Sequence, residues 1–108
     1  MTETLIVFTT FGSEADAARV VRALVEERLI ACGNLLPNAR SIYRWKDAVA
    51  DEREVVVLMK ARKQDWAALQ SRLAELHPYQ IPECLAVRVA AGSPAYLAWL
   101  EEVLGSEA

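Results

Sequence analysis

The chain has one histidine, His77, in the stretch LHPYQIPE, with Tyr79 two residues on and Glu83 six. An imidazole and a carboxylate so spaced offer proton transfer, metal ligation or the capping of a helix end. Pro78 disfavours helical backbone at the residue before it, so His77 is the point where a helix stops. A histidine there can bond the last free carbonyls. Glu83 follows Pro82 just ahead of an apolar run, as a partner carboxylate across the loop or as a solvated residue. The two thiols, Cys32 and Cys84, lie inside LIACGNLL and PECLAVRV, far apart and in no C-x-x-C pair. Thiol redox chemistry and a structural zinc site therefore lack their usual spacing. Apolar surroundings raise a thiol's pKa, so both read as inert buried thiols and not as nucleophiles served by His77. No nucleophile elbow, P-loop or dinucleotide fingerprint is present. TTFGSE puts glycine and serine at a helix start, where backbone N–H groups can hold an anion. Most helices begin this way without binding one.

Charge and length narrow the classes. Twelve basic and 15 acidic residues leave a net charge of −3, whereas a nucleic-acid binder normally shows a basic face. At 108 residues the chain is expected to form one domain, 1–108, with a single core. No window has the apolar length of a membrane span, and TLIVFTT follows the N-terminus without a basic segment or cleavage site. The expectation is a cytoplasmic protein with no nucleic-acid or membrane partner.

The elements that must position these residues follow from periodicity. Residues 4–10 read as a strand, and Ser13 with Asp16 reads as the cap of a helix over 14–29. IACGNLLP is a second strand that bends at Pro37 and resumes in SIYRW, where Tyr43 and Trp45 share a face. KDAVADE is the expected turn, and REVVVLMKAR the third strand. Trp66, Leu69, Leu73 and Leu76 mark a helix over 64–76, and CLAVRVA alternates as a fourth strand. Ser93-Pro94 starts the last helix. The order β-α-β-β-α-β-α predicts an α+β, ferredoxin-like sandwich with an antiparallel sheet and an extra C-terminal helix. The first and third strands, central in that topology, carry unbroken apolar runs. A sheet covered by helices on one face only should alternate. Something is therefore expected to cover the other face, and a second copy of the chain is the simplest cover.

This topology serves several functions. An RNA-recognition domain needs aromatic residues on its central strands, where this chain has EVVVLMKA. A metallochaperone of this shape needs paired cysteines where it has TTFGSE.

LVEERLIACGNLLP (24–37), SIYRW (41–45), LMKAR (58–62), LHPYQIPE (76–83) and YLAWL (96–100) occur in this order. On these motifs the chain resembles, over nearly its whole length, the CutA family of divalent-cation tolerance proteins. The resemblance implies a homotrimer in which long second and third strands reach over the neighbouring subunit, with Tyr43 and Trp45 in the trimer-forming arm. It implies a role in divalent-cation tolerance or response, copper included, and no catalysis. The copper ligands proposed for such proteins are a cysteine and two adjacent histidines. Carried onto this chain they fall on Thr9, Leu76 and His77, so only His77 keeps a ligand. The implied architecture is also similar to that of PII-type signalling proteins, which bind small effectors between subunits. On that footing Tyr43, Trp45, Lys60, His77, Tyr79 and Glu83 are expected to line a cleft for a small anionic or metal-bearing ligand. A third reading is a structural trimeric scaffold. The expected cofactor is none, or a divalent cation such as copper.

Overall fold

A computed structural model describes residues 3–105. Its order is β1 (Thr4–Phe11), α1 (Glu14–Glu26), β2 (Cys32–Trp45), β3 (Ala48–Arg62), α2 (Trp66–Leu76), β4 (Leu85–Arg88) and α3 (Pro94–Leu104). A single 3-10 turn, Lys63–Asp65, leads into α2. The sheet is antiparallel with strand order β2-β3-β1-β4, so the two strands with unbroken apolar runs are central, as the topology required. Among the described residues no helix is long and apolar enough to cross a membrane.

Burial alternates cleanly along β1. Leu5, Val7, Thr9 and Phe11 face the helices and are buried, while Thr4, Ile6, Phe8 and Thr10 face the other way. Register carries this pattern to β3, where Val55, Val57, Met59 and Ala61 join the core. Val20, Val21 and Leu24 from α1 and Leu69 and Leu73 from α2 close that core. The close-packed side of the sheet is thus a single layer of side chains under two helices.

Among the described residues the opposite face is only partly covered, with α3 meeting it at the Cys32 edge through Tyr96. Ile6, Phe8, Leu36, Val56 and Leu58 share it by register, continued on β4 by Leu85 and Val87. Leu85 is 63% and Val87 50% exposed. An apolar sheet face this broad is what marks an interface on a soluble protein.

Both expected caps form. Ser13 Oγ accepts from the Asp16 N–H at 3.1 Å, and Ser93 Oγ accepts from the Tyr96 N–H at 3.3 Å, with Pro94 in the first turn. Beyond shifts of one or two residues at β1, β2 and α2, three boundaries differ from the expectation. Helix α1 stops at Glu26, because Arg28 takes a left-handed φ of 60° and its guanidinium donates to the Val103 carbonyl at 2.6 Å. Strand β4 is four residues, not seven. The hairpin turn is two residues: Lys46 and Asp47 stand at φ 49° and 67°, and Ala48–Glu52, expected as turn, is strand. Two positive φ values in a two-residue connection match the twist of the flanking strands. The result is a long β2–β3 arm, kept in register across a bulge at Leu36/Ala39 where Asn38 is also left-handed.

The C-terminal helix is anchored from below. Arg62, at the end of β3 and buried, donates to Asp65 Oδ2 at 2.8 Å and to the Gly105 carbonyl at 2.6 Å. Its fork thereby satisfies an orphan carbonyl past the last turn of α3.

Candidate functional site

α2 ends at Leu76, and His77 caps it with an extended backbone (φ −75°, ψ 134°), as the following proline requires. The chain then turns back against β1. Among the described residues strand β4 pairs with Leu5–Phe8, and the Thr10 carbonyl beyond it takes a hydrogen bond from His77 Nε2 at 2.8 Å. His77 Nδ1 accepts the Tyr79 N–H at 3.1 Å. These two bonds set the tautomer: Nε2 carries the proton and Nδ1 the lone pair. The ring lies 4.1 Å from that of Phe11, stacked within 11°, and is 6% exposed. Burial holds its pKa below the usual 6.5, against the opposing pull of the Thr10 carbonyl.

His77 thus turns Tyr79 outward. The Tyr79 hydroxyl donates to Glu54 Oε2 at 2.6 Å, joining the loop after α2 to the base of the β2–β3 arm. Burial and then the Glu54 carboxylate raise the Tyr79 pKa, so the phenol stays protonated and donating. One step up the arm the motif repeats, with the Tyr43 hydroxyl donating to Glu52 Oε1 at 2.7 Å. That bond raises the Tyr43 pKa as well. Period two places Ala39, Ser41, Tyr43 and Trp45 on one face of β2, opposite Glu54, Glu52, Ala50 and Ala48 in the β3 register.

Between the arm and the 79–83 loop lies a cleft of about 680 Å³, lined by Tyr43, Trp45, Glu52, Glu54, Tyr79 and Glu83, with Thr10 at its floor. The volume falls in the range of roughly 300–1,000 Å³ typical of small-molecule sites. Of the residues expected to converge, Tyr43, Trp45, Tyr79 and Glu83 do so. His77 stands behind Tyr79 as its support and not on the cleft wall. Lys60 lies elsewhere. It pairs with Ile6 and Cys32, whereas the nearest rung to the cleft is Thr10–Val56, four residues or about 13 Å along the strand. Its ammonium donates to Asn34 Oδ1 instead. Thr9 and Leu76, the positions matched to the other copper ligands, are a buried residue whose hydroxyl has no partner among the described residues and an apolar side chain packed on the core.

Two carboxylates of the site, Glu52 and Glu54, escaped sequence reading, as did Thr10 at its floor. Glu52 ends the stretch expected as turn and Glu54 stands second in the expected third strand, and the signal that finds them is the hairpin register. The thiols behave as expected for inert groups in one case: burial raises the Cys84 pKa. Cys32 Sγ lies 3.7 Å from the Tyr96 hydroxyl, away from the cleft. Among the described residues no group of three or more His, Cys, Asp or Glu side chains is arranged to hold a metal ion.

Residues 5–103 match the family model described as CutA1 divalent ion tolerance protein. The chain is 42% identical over 100 residues to the divalent-cation tolerance protein CutA of Thermus thermophilus, covering 93% of this chain and 97% of that protein. It is 38% identical over 99 residues to protein CutA of Mus musculus, covering 92% of this chain but only 56% of the mouse protein. The solved structure of CutA from Synechococcus elongatus superposes with a TM-score of 0.92 at 36% identity, covering 97% of this chain and 93% of that one. With fold, register and motifs in agreement along the matched length, this chain belongs to the CutA1 divalent ion tolerance family.

Proposed function

We propose that this chain acts in divalent-cation tolerance as a non-catalytic homotrimer of the cytoplasm. The observation that carries the reading is the end-to-end match with a relative named for that role, 42% identical and 97% covered. The partly covered apolar sheet face supports the assembly, because association would bury Phe8, Leu58 and Leu85 together. The absence of a catalytic role rests on His77, whose two ring nitrogens are both engaged in holding the loop.

Metal capture at His77 would have to break the Thr10 or the Tyr79 bond, since an imidazole ligates through a free lone pair. Copper or another divalent cation would therefore bind at His77 only with rearrangement of the loop. A second reading is favoured by the cleft: a sensor of the PII type that takes a small effector beside the open sheet face.

Native mass spectrometry with and without Cu(II) and Zn(II) tests the first reading. A trimer is expected in every case. A monomer would overturn the assembly. Tight metal retention that His77→Ala abolishes would make His77 a ligand, and no retention in either protein would remove metal binding from the function.

A further inference from the structure

The chemistry of the cleft is one-sided. Three carboxylates, Glu52, Glu54 and Glu83, face a space walled by the rings of Tyr43, Trp45 and Tyr79. Among the described residues none of these carboxylates forms an ion pair, although eight ion pairs form elsewhere. Arg40 is held bidentately by Asp51 at 2.8 and 2.7 Å, Lys60 lies far along the strand, and Lys46 stands at the outer edge of the lining with Nζ 5.7 Å from the Trp45 ring centroid.

Glu54 is the more informative of the three. It is 7% exposed, yet its one hydrogen bond among the described residues comes from a neutral phenol on Oε2. A carboxylate that buried is ordinarily paired with a cation, because desolvation of a lone charge is costly. Glu54 is also part of the cleft's lining. The site therefore supplies what a cation needs, negative charge in a partly dry space and aromatic faces whose quadrupoles attract positive charge. An anion would meet three like charges there. A bare metal ion would leave most of 680 Å³ unfilled.

We infer that the cleft binds a small organic cation, an ammonium or guanidinium compound held by the Glu54 carboxylate against Tyr43 and Tyr79. The inference deepens the sensor reading of this cleft and rests on it. Glu54 and Glu83 take the charged head, and the aromatic walls take the apolar stem. The Tyr79–Glu54 bond fixes the carboxylate, so the site is set before the ligand arrives.

Isothermal titration of agmatine onto the full chain tests this, with sodium glutamate as the anionic control and Zn(II) as the metal control. The expected result is one agmatine per subunit, weakened by added salt, and no binding of glutamate at the same concentrations. Glu54→Gln and Glu83→Gln should each weaken agmatine by about tenfold or more, while Lys60→Ala leaves it unchanged. Circular dichroism melting of each variant separates a lost site from a lost fold. Three results would overturn the inference: no agmatine binding to the wild type, equal binding to both folded glutamine variants, or preference for glutamate. A cationic side chain of a neighbouring copy seated in the cleft would give the first of these. Failure here alongside a native trimer leaves the tolerance reading standing, whereas a monomer in native mass spectrometry overturns the assembly and not this inference.

Discussion

His77 holds a loop with a neutral ring, and pH should expose that. In the folded chain Nδ1 accepts a backbone N–H and the ring is buried, so protonation is disfavoured and the pKa lies below 6.5. The unfolded chain takes up the proton near 6.5, before the folded chain does. Stability from His77 is thus fully present above that pH and is lost as pH falls from about 6.5 through the folded pKa. Melting temperature should drop on acidification across this window, and His77→Gln should flatten that part of the profile. At pH 7.5 the same variant should cost about 2 kcal/mol through the lost stack and hydrogen bonds. A profile identical to the wild type would mean that the ring is not held neutral. The helix-ending role of His77 was legible from Pro78 alone. Its partner was not, because Thr10 lies 67 residues away and only folding brings the two together. Lys60 shows the converse error. The likeness to PII-type proteins put it in the cleft, but only the β1–β3 register reveals that it sits four residues along the strand from the cleft.

At the scale of elements, the strands and helices follow the apolar periodicity closely, and the discrepancies gather where polar residues carry regular structure. The run Ala48–Glu52 looks like turn because it is acidic and alanine-rich. It is strand because the arm is solvated and needs no apolar alternation. Lys46-Asp47 gives little warning of a two-residue turn, which favours Asn-Gly or Asp-Gly. Helix placement can be tested directly. Gly33, near the start of β2, lies so close to α1 that an added Cβ would sit 2.7 Å from Val21 Cγ1 and 3.6 Å from Ile30 Cδ1. Both neighbours belong to the packed core, so Gly33→Ala should destabilise by about 1–3 kcal/mol in chemical denaturation. A neutral effect would mean that α1 packs less tightly on β2 than the structure has it.

For the whole molecule, the chain is half of a packing problem. One face of its sheet is closed by α1 and α2, while on the other Leu36, Leu85 and Val87 are exposed and Ile6, Phe8, Val56 and Leu58 half-buried. Those unbroken apolar runs were visible in the sequence and called for a second cover. The cleft's place beside that face was not visible, since it depends on the arm, the 79–83 loop and the β1 floor meeting in space. The central claim is that copies of this chain close the open face in a trimer. Sedimentation equilibrium of the wild type and of Leu58→Glu, which puts a charge in the middle of that face, tests it most directly. The account predicts three times the chain mass for the wild type and a shift to folded monomer for the variant. A monomeric wild type, or a trimer indifferent to Leu58→Glu, would contradict it.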